Sequence, residues 1–139
     1  MKIIEKIKAL NFPEKQFLIL GGGILEVKNI RPTRDLDIVV TENLMDVLRK
    51  DKTWSLKKVY SVKDKIVELL CREGVEVCTS VHSVYDLDYF LQNKDRYEEI
   101  EGVYFSSLKD LLRMKSVWKR EKDLVDIELI NKYLDKSSL

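Results

Sequence analysis

Leu18-Ile19-Leu20-Gly21-Gly22-Gly23, and after residues 24–30 the stretch Arg31-Pro32-Thr33-Arg34-Asp35-Leu36-Asp37-Ile38-Val39-Val40, decide how this chain is read. Gln16 to Leu20 is a short apolar run that suits a buried strand. It ends in three glycines, whose backbone entropy is too costly for the interior of a regular element. They mark a tight turn or a close backbone approach. Asp35 to Val40 reads as a second strand, apolar except for two aspartates. Side chains alternate along a strand, so Asp35 and Asp37 share one face, with Cα atoms roughly 6.5 Å apart, while Leu36, Ile38 and Val40 pack the other. Two carboxylates on such a strand repel each other and lose solvation. A divalent cation removes that cost, and Mg²⁺ takes one or two carboxylates together with substrate phosphates; Mn²⁺ accepts the same oxygen donors. An Asp-x-Asp pair alone also suits a strand with one wet face. The context favours phosphate: Gly21, Gly22 and Gly23 let backbone N–H groups approach phosphate oxygens, Arg31 and Arg34 can neutralise their charge, and Thr33 can donate its hydroxyl.

The rest of the chain supplies a mixed order of elements. Residues 2–10 predict a short helix with Ile3, Ile4, Ile7 and Leu10 on one face, ended by Asn11-Phe12-Pro13. Residues 24–29 predict a short helix or helical turn closed by Asn29 in the left-handed region. Thr41 caps a helix through Leu44, Val47 and Leu48. Residues 54–60 read loosely as a strand whose alternation is broken by Lys57-Lys58. Ile66–Cys71 and Val75–Ser80 read as a hairpin turning at Glu73-Gly74; a helix opened by a capping box at Ser61–Asp64 is the alternative. Residues 84–92 predict a helix, residues 103–105 a strand. Ser106 or Ser107 then caps a helix bearing Leu108, Leu111, Leu112 and Met114, and a last helix carries Leu124 to Leu134. Asp86-Leu87-Asp88 repeats the Asp-x-Asp spacing on a helical segment, where the two carboxylates diverge, and reads as solvated surface. The expected fold class is α/β with a mixed α+β sheet, in one domain.

Composition narrows the functional classes. The chain has 139 residues, enough for one core and not two. Hydrophobic residues at 45% exclude a disordered chain. Charged residues at 35% cancel to a net charge of +1, so there is no global attraction to nucleic acid or an anionic surface. The same charge-rich balance suits a thermophile or an ordinary soluble surface. No apolar stretch reaches the length of a membrane span, and Met1 to Leu10 lacks the pattern of a signal peptide. Cys71 and Cys78 read as two buried thiols in a reducing compartment, so the expected location is the cytoplasm. His82 is the single histidine and sits in no ligand spacing, which argues against zinc and against histidine-based triads.

The glycine run, the spacer and Arg31-Pro-Thr-Arg-Asp-Leu-Asp-Ile-Val resemble the signature of the DNA polymerase beta-type nucleotidyltransferase superfamily. In that signature a hydrophobic residue and a Gly-Gly or Gly-Ser pair precede Asp-x-Asp or Asp-x-Glu. The likeness is to the small stand-alone members of bacteria and archaea, and antibiotic-modifying nucleotidyltransferases share the motif. The resemblance implies a mixed sheet with helices on one face and trailing C-terminal helices. It implies a third carboxylate on a later strand, which places Glu76 with Asp35 and Asp37 as the metal-binding, catalytic set. The family more often has aspartate there, and Glu68 is the alternative. Ser107–Leu112, Lys115, Arg120, Lys122, Asp123 and Asp126 look like the trailing helices, with Lys115 the candidate phosphate ligand among them. The implied substrate is a nucleoside triphosphate, of which ATP is one candidate. The acceptor is open between a small molecule, RNA and protein. Asp35 and Asp37 would hold the triphosphate metal, and Asp37 and Glu76 a second ion roughly 3.5 to 4 Å away at the acceptor hydroxyl. A domain this small leaves little chain for the acceptor. A homodimer, a partner protein, or a non-catalytic nucleotide-binding or toxin–antitoxin-type regulatory module therefore stays open beside the enzyme.

Overall fold

A computed structural model describes residues 2–62, 64–81 and 85–137. Two of the sequence readings fall partly outside them: His82, and the start of the expected helix at residue 84. The helix α1 (Ile3–Lys8) leads to β1 (Phe17–Ile19), the glycine turn, α2 (Gly22–Val27) and β2 (Leu36–Val40). Asn29 ends α2 with φ at 58°, the left-handed cap that its short polar side chain tolerates. Next come α3 (Glu42–Lys50), β3 (Ser55–Val62), β4 (Lys65–Arg72) and β5 (Val75–Cys78). Thr41 caps α3 by accepting the Leu44 N–H at 3.2 Å. Glu73 and Gly74 both have positive φ, the conformation a two-residue hairpin turn requires, so the hairpin and not the alternative helix is formed.

The next segment departs from expectation. In place of a helix over residues 84–92, β6 (Ser80–Val81) pairs with β7 (Tyr85–Asp86), and α4 covers only Leu87–Leu91. Asp86 is spent as the α4 cap, accepting the Tyr89 N–H at 2.9 Å. The second Asp-x-Asp is therefore a helix start. A strand that periodicity did not show, β8 (Tyr97–Ile100), precedes β9 (Val103–Ser106), and the chain ends in α5 (Leu108–Trp118), capped by Ser107, and α6 (Glu121–Ser137).

Among the described residues, one sheet of seven strands runs in the order β3-β4-β5-β2-β1-β9-β8. It is mixed: β2 is antiparallel to β1 and parallel to β5, and β1 is parallel to β9. The fold class is the expected mixed α/β. Leu36, Ile38 and Val40 face the larger core, with Ile24 and Leu25 of α2, Met45 of α3, Leu111 of α5 and Ile130 of α6. Leu18, Leu20 and Val39 face the other way into a smaller core with Leu87 and Phe90 of α4 and Met114 of α5. Helices thus occupy both faces, not one: α4 covers part of the second face because Leu87 and Phe90 bury there.

Candidate active site

The second face of β2 carries Asp37 one step before Val39, and α4 does not reach that far. Asp37 is exposed, although Val39, Ile38 and Val40 around it are buried. Asp35 sits at a bend just before β2 begins, also exposed, and its carbonyl accepts the Thr33 hydroxyl at 3.1 Å. The strand therefore holds one of the two aspartates and the entering loop the other. The parallel pairing of β2 with β5 sets Asp37 and Glu76 as direct Cα partners. The topology thus brings Asp35, Asp37 and Glu76 to one end of one sheet face. Glu68 lies apart, paired through its carboxylate with Arg49 at 2.8 Å.

This crowding has an electrostatic signature. The Asp37 carboxyl is pushed up to about 7, first by loss of surrounding water, then by the charges of Glu76 and Asp35, with Lys57 opposing. The neighbouring Cys78 thiol is pushed up to about 12 by burial and by the Asp37 charge, so it stays protonated and unreactive. Cys71 is half-buried, not buried as the sequence suggested.

The glycine turn borders the carboxylates. The Leu20 N–H donates to the Asp37 carbonyl at 2.8 Å, which sets the end of β1 beside the site. Gly21 follows at φ 54° and ψ −122°, a conformation reserved almost wholly to glycine. A Cβ on Gly22 would lie 2.6 Å from the Thr33 hydroxyl, so the turn and the loop before Asp35 touch only because Gly22 has no side chain. The Thr33 N–H donates to Glu26 at 2.8 Å and fastens that loop to α2.

The basic residues divide. Arg31 donates through Nε and Nη2 to both oxygens of Asp126 on α6, at 2.7 and 2.8 Å. Lys115 is buried, bridging Asp123 at 3.2 Å and Asp126 at 2.9 Å. Arg120 closes the set on Asp123 at 2.6 Å. Burial alone would raise the Asp123 carboxyl, but the hydrogen bonds from Arg120 and Lys115 outweigh it and hold the group down to about 2. Of the three cations expected to meet phosphate, Arg31 and Lys115 are thus committed to an internal network that ties the loop to α5 and α6. Arg34 is exposed and has no ion pair among the described residues, which leaves it as the free guanidinium beside Asp35.

One residue escaped the sequence reading. Lys57 of β3 pairs its ammonium with Glu76 across β4. The break in alternation at Lys57-Lys58 was its trace in the sequence, since it coincides with a shift of register between Leu56 and Lys58.

No family model matches the chain, and no curated protein matches it.

The donor set has the right chemistry for Mg²⁺ or Mn²⁺: carboxylate oxygens of Asp35 and Asp37. Among the described residues no three ligand side chains converge on one point, and the Glu76 carboxylate is paired with Lys57. Asp35 and Asp37 therefore fit a metal as a pair, with substrate oxygens completing the shell. Two surface clefts, of about 430 and 340 Å³, lie elsewhere. The larger is lined by Val40, Thr41, Thr79 and Ser80, at the opposite end of β2 and β5.

Proposed function

We propose that this chain is a metal-dependent nucleotidyltransferase, moving a nucleoside monophosphate from a nucleoside triphosphate to an acceptor hydroxyl. The observation that carries this is the pairing of Asp37 with Glu76 across β2 and β5, beside a glycine turn and a free arginine. The resemblance of the glycine and Asp-x-Asp segments to the polymerase beta-type superfamily supports it.

In this reading Asp35 and Asp37 ligate the ion and orient the triphosphate. A bound Mg²⁺ supplies charge neutralisation and polarises the phosphoryl oxygens. The backbone at Gly21 and Gly22 would lie against the β and γ phosphates, and the Arg34 guanidinium would pair with their oxygens. The acceptor oxygen attacks the α-phosphorus, the bond from that phosphorus to the bridging oxygen breaks, and pyrophosphate leaves. A Glu76 carboxylate oxygen takes the acceptor proton. A second reading, nucleotide binding without transfer, has one observation in its favour: Glu76 is already engaged by Lys57.

Thermal unfolding with Mg²⁺ and each of ATP, CTP, GTP and UTP tests binding. Ligand at 100 times its dissociation constant adds about 2.7 kcal/mol. No shift with any of them overturns both readings. Pyrophosphate release against a panel of RNA, protein and small hydroxylated acceptors then separates transfer from binding. Asp37→Asn is expected to abolish release, and unchanged turnover in that variant would remove Asp37 from the site.

A further inference from the structure

We propose that Lys57 takes the place of a second divalent ion, so that one metal ion and one ammonium together serve the transferring nucleotide. The inference rests on the nucleotidyltransferase reading and deepens it.

The placement is built into the sheet. The ladder between β3 and β4 pairs Leu56 with Leu70 and Lys58 with Leu69, and leaves Lys57 as the extra residue of a bulge. A bulge re-aims a side chain that regular pairing would hold elsewhere. From there the ammonium must cross β4 to meet a residue of β5, two strand spacings or about 9.6 Å away. Lysine and glutamate extended toward each other span that gap, and they meet: Lys57 and Glu76 form an ion pair. Glu76 keeps only 17% of its side chain exposed, whereas Lys57 keeps 52%, so the lysine comes to the carboxylate from the open side.

Charge leads to the same arrangement. Asp35, Asp37 and Glu76 are three carboxylates. One ammonium among them leaves two negative charges, which a single divalent ion neutralises. A second divalent ion between Asp37 and Glu76 would have to sit against the ammonium, an uncompensated repulsion at short range. Paired with Glu76, the ammonium stands on the acceptor side, while Asp35 and Asp37 would take the ion on the triphosphate side. Lys57 orients the Glu76 carboxylate that receives the acceptor proton, and it acts through Glu76 as a positioning residue.

The test counts metal. Native protein, Lys57→Arg and Lys57→Met are equilibrated with Mn²⁺ and a triphosphate whose α,β-bridging oxygen is methylene, and bound Mn²⁺ and bound nucleotide are measured after separation. One Mn²⁺ per nucleotide is expected in the native protein and in Lys57→Arg, and two in Lys57→Met. Two Mn²⁺ ions at roughly 3.5 to 4 Å couple magnetically, so a coupled electron paramagnetic resonance spectrum should appear in Lys57→Met alone. Two Mn²⁺ per nucleotide in the native protein, or one in Lys57→Met, overturns the role of Lys57 and leaves the nucleotidyltransferase reading standing. Retention of nucleotide by none of the three proteins overturns both.

Discussion

Asp37 shows what a crowded carboxylate costs when no positive charge balances it. Its carboxyl, ordinarily near 3.8, is raised to about 7 by lost hydration and by Glu76 and Asp35. In the unfolded chain it titrates near 3.8, so below about pH 4 both states are protonated and the site carries no penalty. As pH rises toward 7 the unfolded state gives up its proton first, and stability is lost across that window. Asp37→Asn removes the loss. In urea titrations without divalent ions, the variant should match the native protein at pH 4 and exceed it at pH 8, by on the order of 1 kcal/mol once solvent screening at this exposed group is allowed for. Equal stability at pH 8 would show that the negative charges do not strain the fold. Asp37 was legible on its strand because alternation is a local rule; the same rule extended the strand to Asp35, which lies in the bend before β2. Glu76 was legible only through resemblance, since no local pattern tells which later strand lies beside β2. Lys57 left only a break in alternation in the sequence, because its contact depends on a bulge and on a neighbour two strands away.

Between residue and sheet, the glycine turn and the C-terminal helices do different work. Gly23 faces Ile19: a Cβ there would lie 2.3 Å from the Ile19 methyl, and Ile19 is fully buried and cannot retreat. Gly23→Ala should therefore cost about 1–3 kcal/mol in urea unfolding, the usual effect of overpacking a filled core. Gly22→Ala pushes instead on Thr33 at the surface. Its stability loss should be the smaller of the two, and its main effect a weaker thermal shift with nucleotide. Equal losses from the two substitutions would contradict this division of the turn into a packing glycine and a site glycine. The sequence marked all three glycines as phosphate-facing because composition cannot separate packing from approach. It pointed Lys115 at phosphate for a similar reason. A lysine on a helix with Asp123 and Asp126 downstream can face phosphate or those carboxylates, and only the packing of α5 on α6 decides. Here Lys115 is buried between both. Lys115→Met leaves two buried carboxylates with one cation fewer, and should cost about 3 kcal/mol. Nucleotide binding measured well below the unfolding midpoint should remain. A stable variant that has lost nucleotide would return Lys115 to the phosphate site.

Across the molecule, the sheet joins a well-buried centre to an open edge, and the site straddles the two. The strands β1, β2 and β5 lie in the middle of the strand order, and Leu18, Ile19, Ile38, Val39 and Val77 are fully buried there. At the edge, β3 pairs on one side only, and Leu56, Val59 and Tyr60 are exposed, as is Ile66 across from them on β4. Apolar burial sets local opening energies, so the outer halves of β3 and β4 should open well before the centre does. Lys57 therefore rides on the labile edge, while Asp37 and Glu76 are carried by the stable centre. Amide hydrogen exchange should find the slowest protons at Leu18 to Leu20 and Ile38 to Val40, exchanging only with global unfolding. The amides of Val59 to Ser61 and of Ile66 should exchange through local opening, by at least tenfold faster, which corresponds to about 1.4 kcal/mol. If Lys57 holds the edge to the centre through Glu76, Lys57→Met should speed exchange in β3 further and leave β1 and β2 unchanged. Uniform protection across the seven strands would show instead that the sheet opens as one unit, with Lys57 as firmly fixed as the carboxylate it faces.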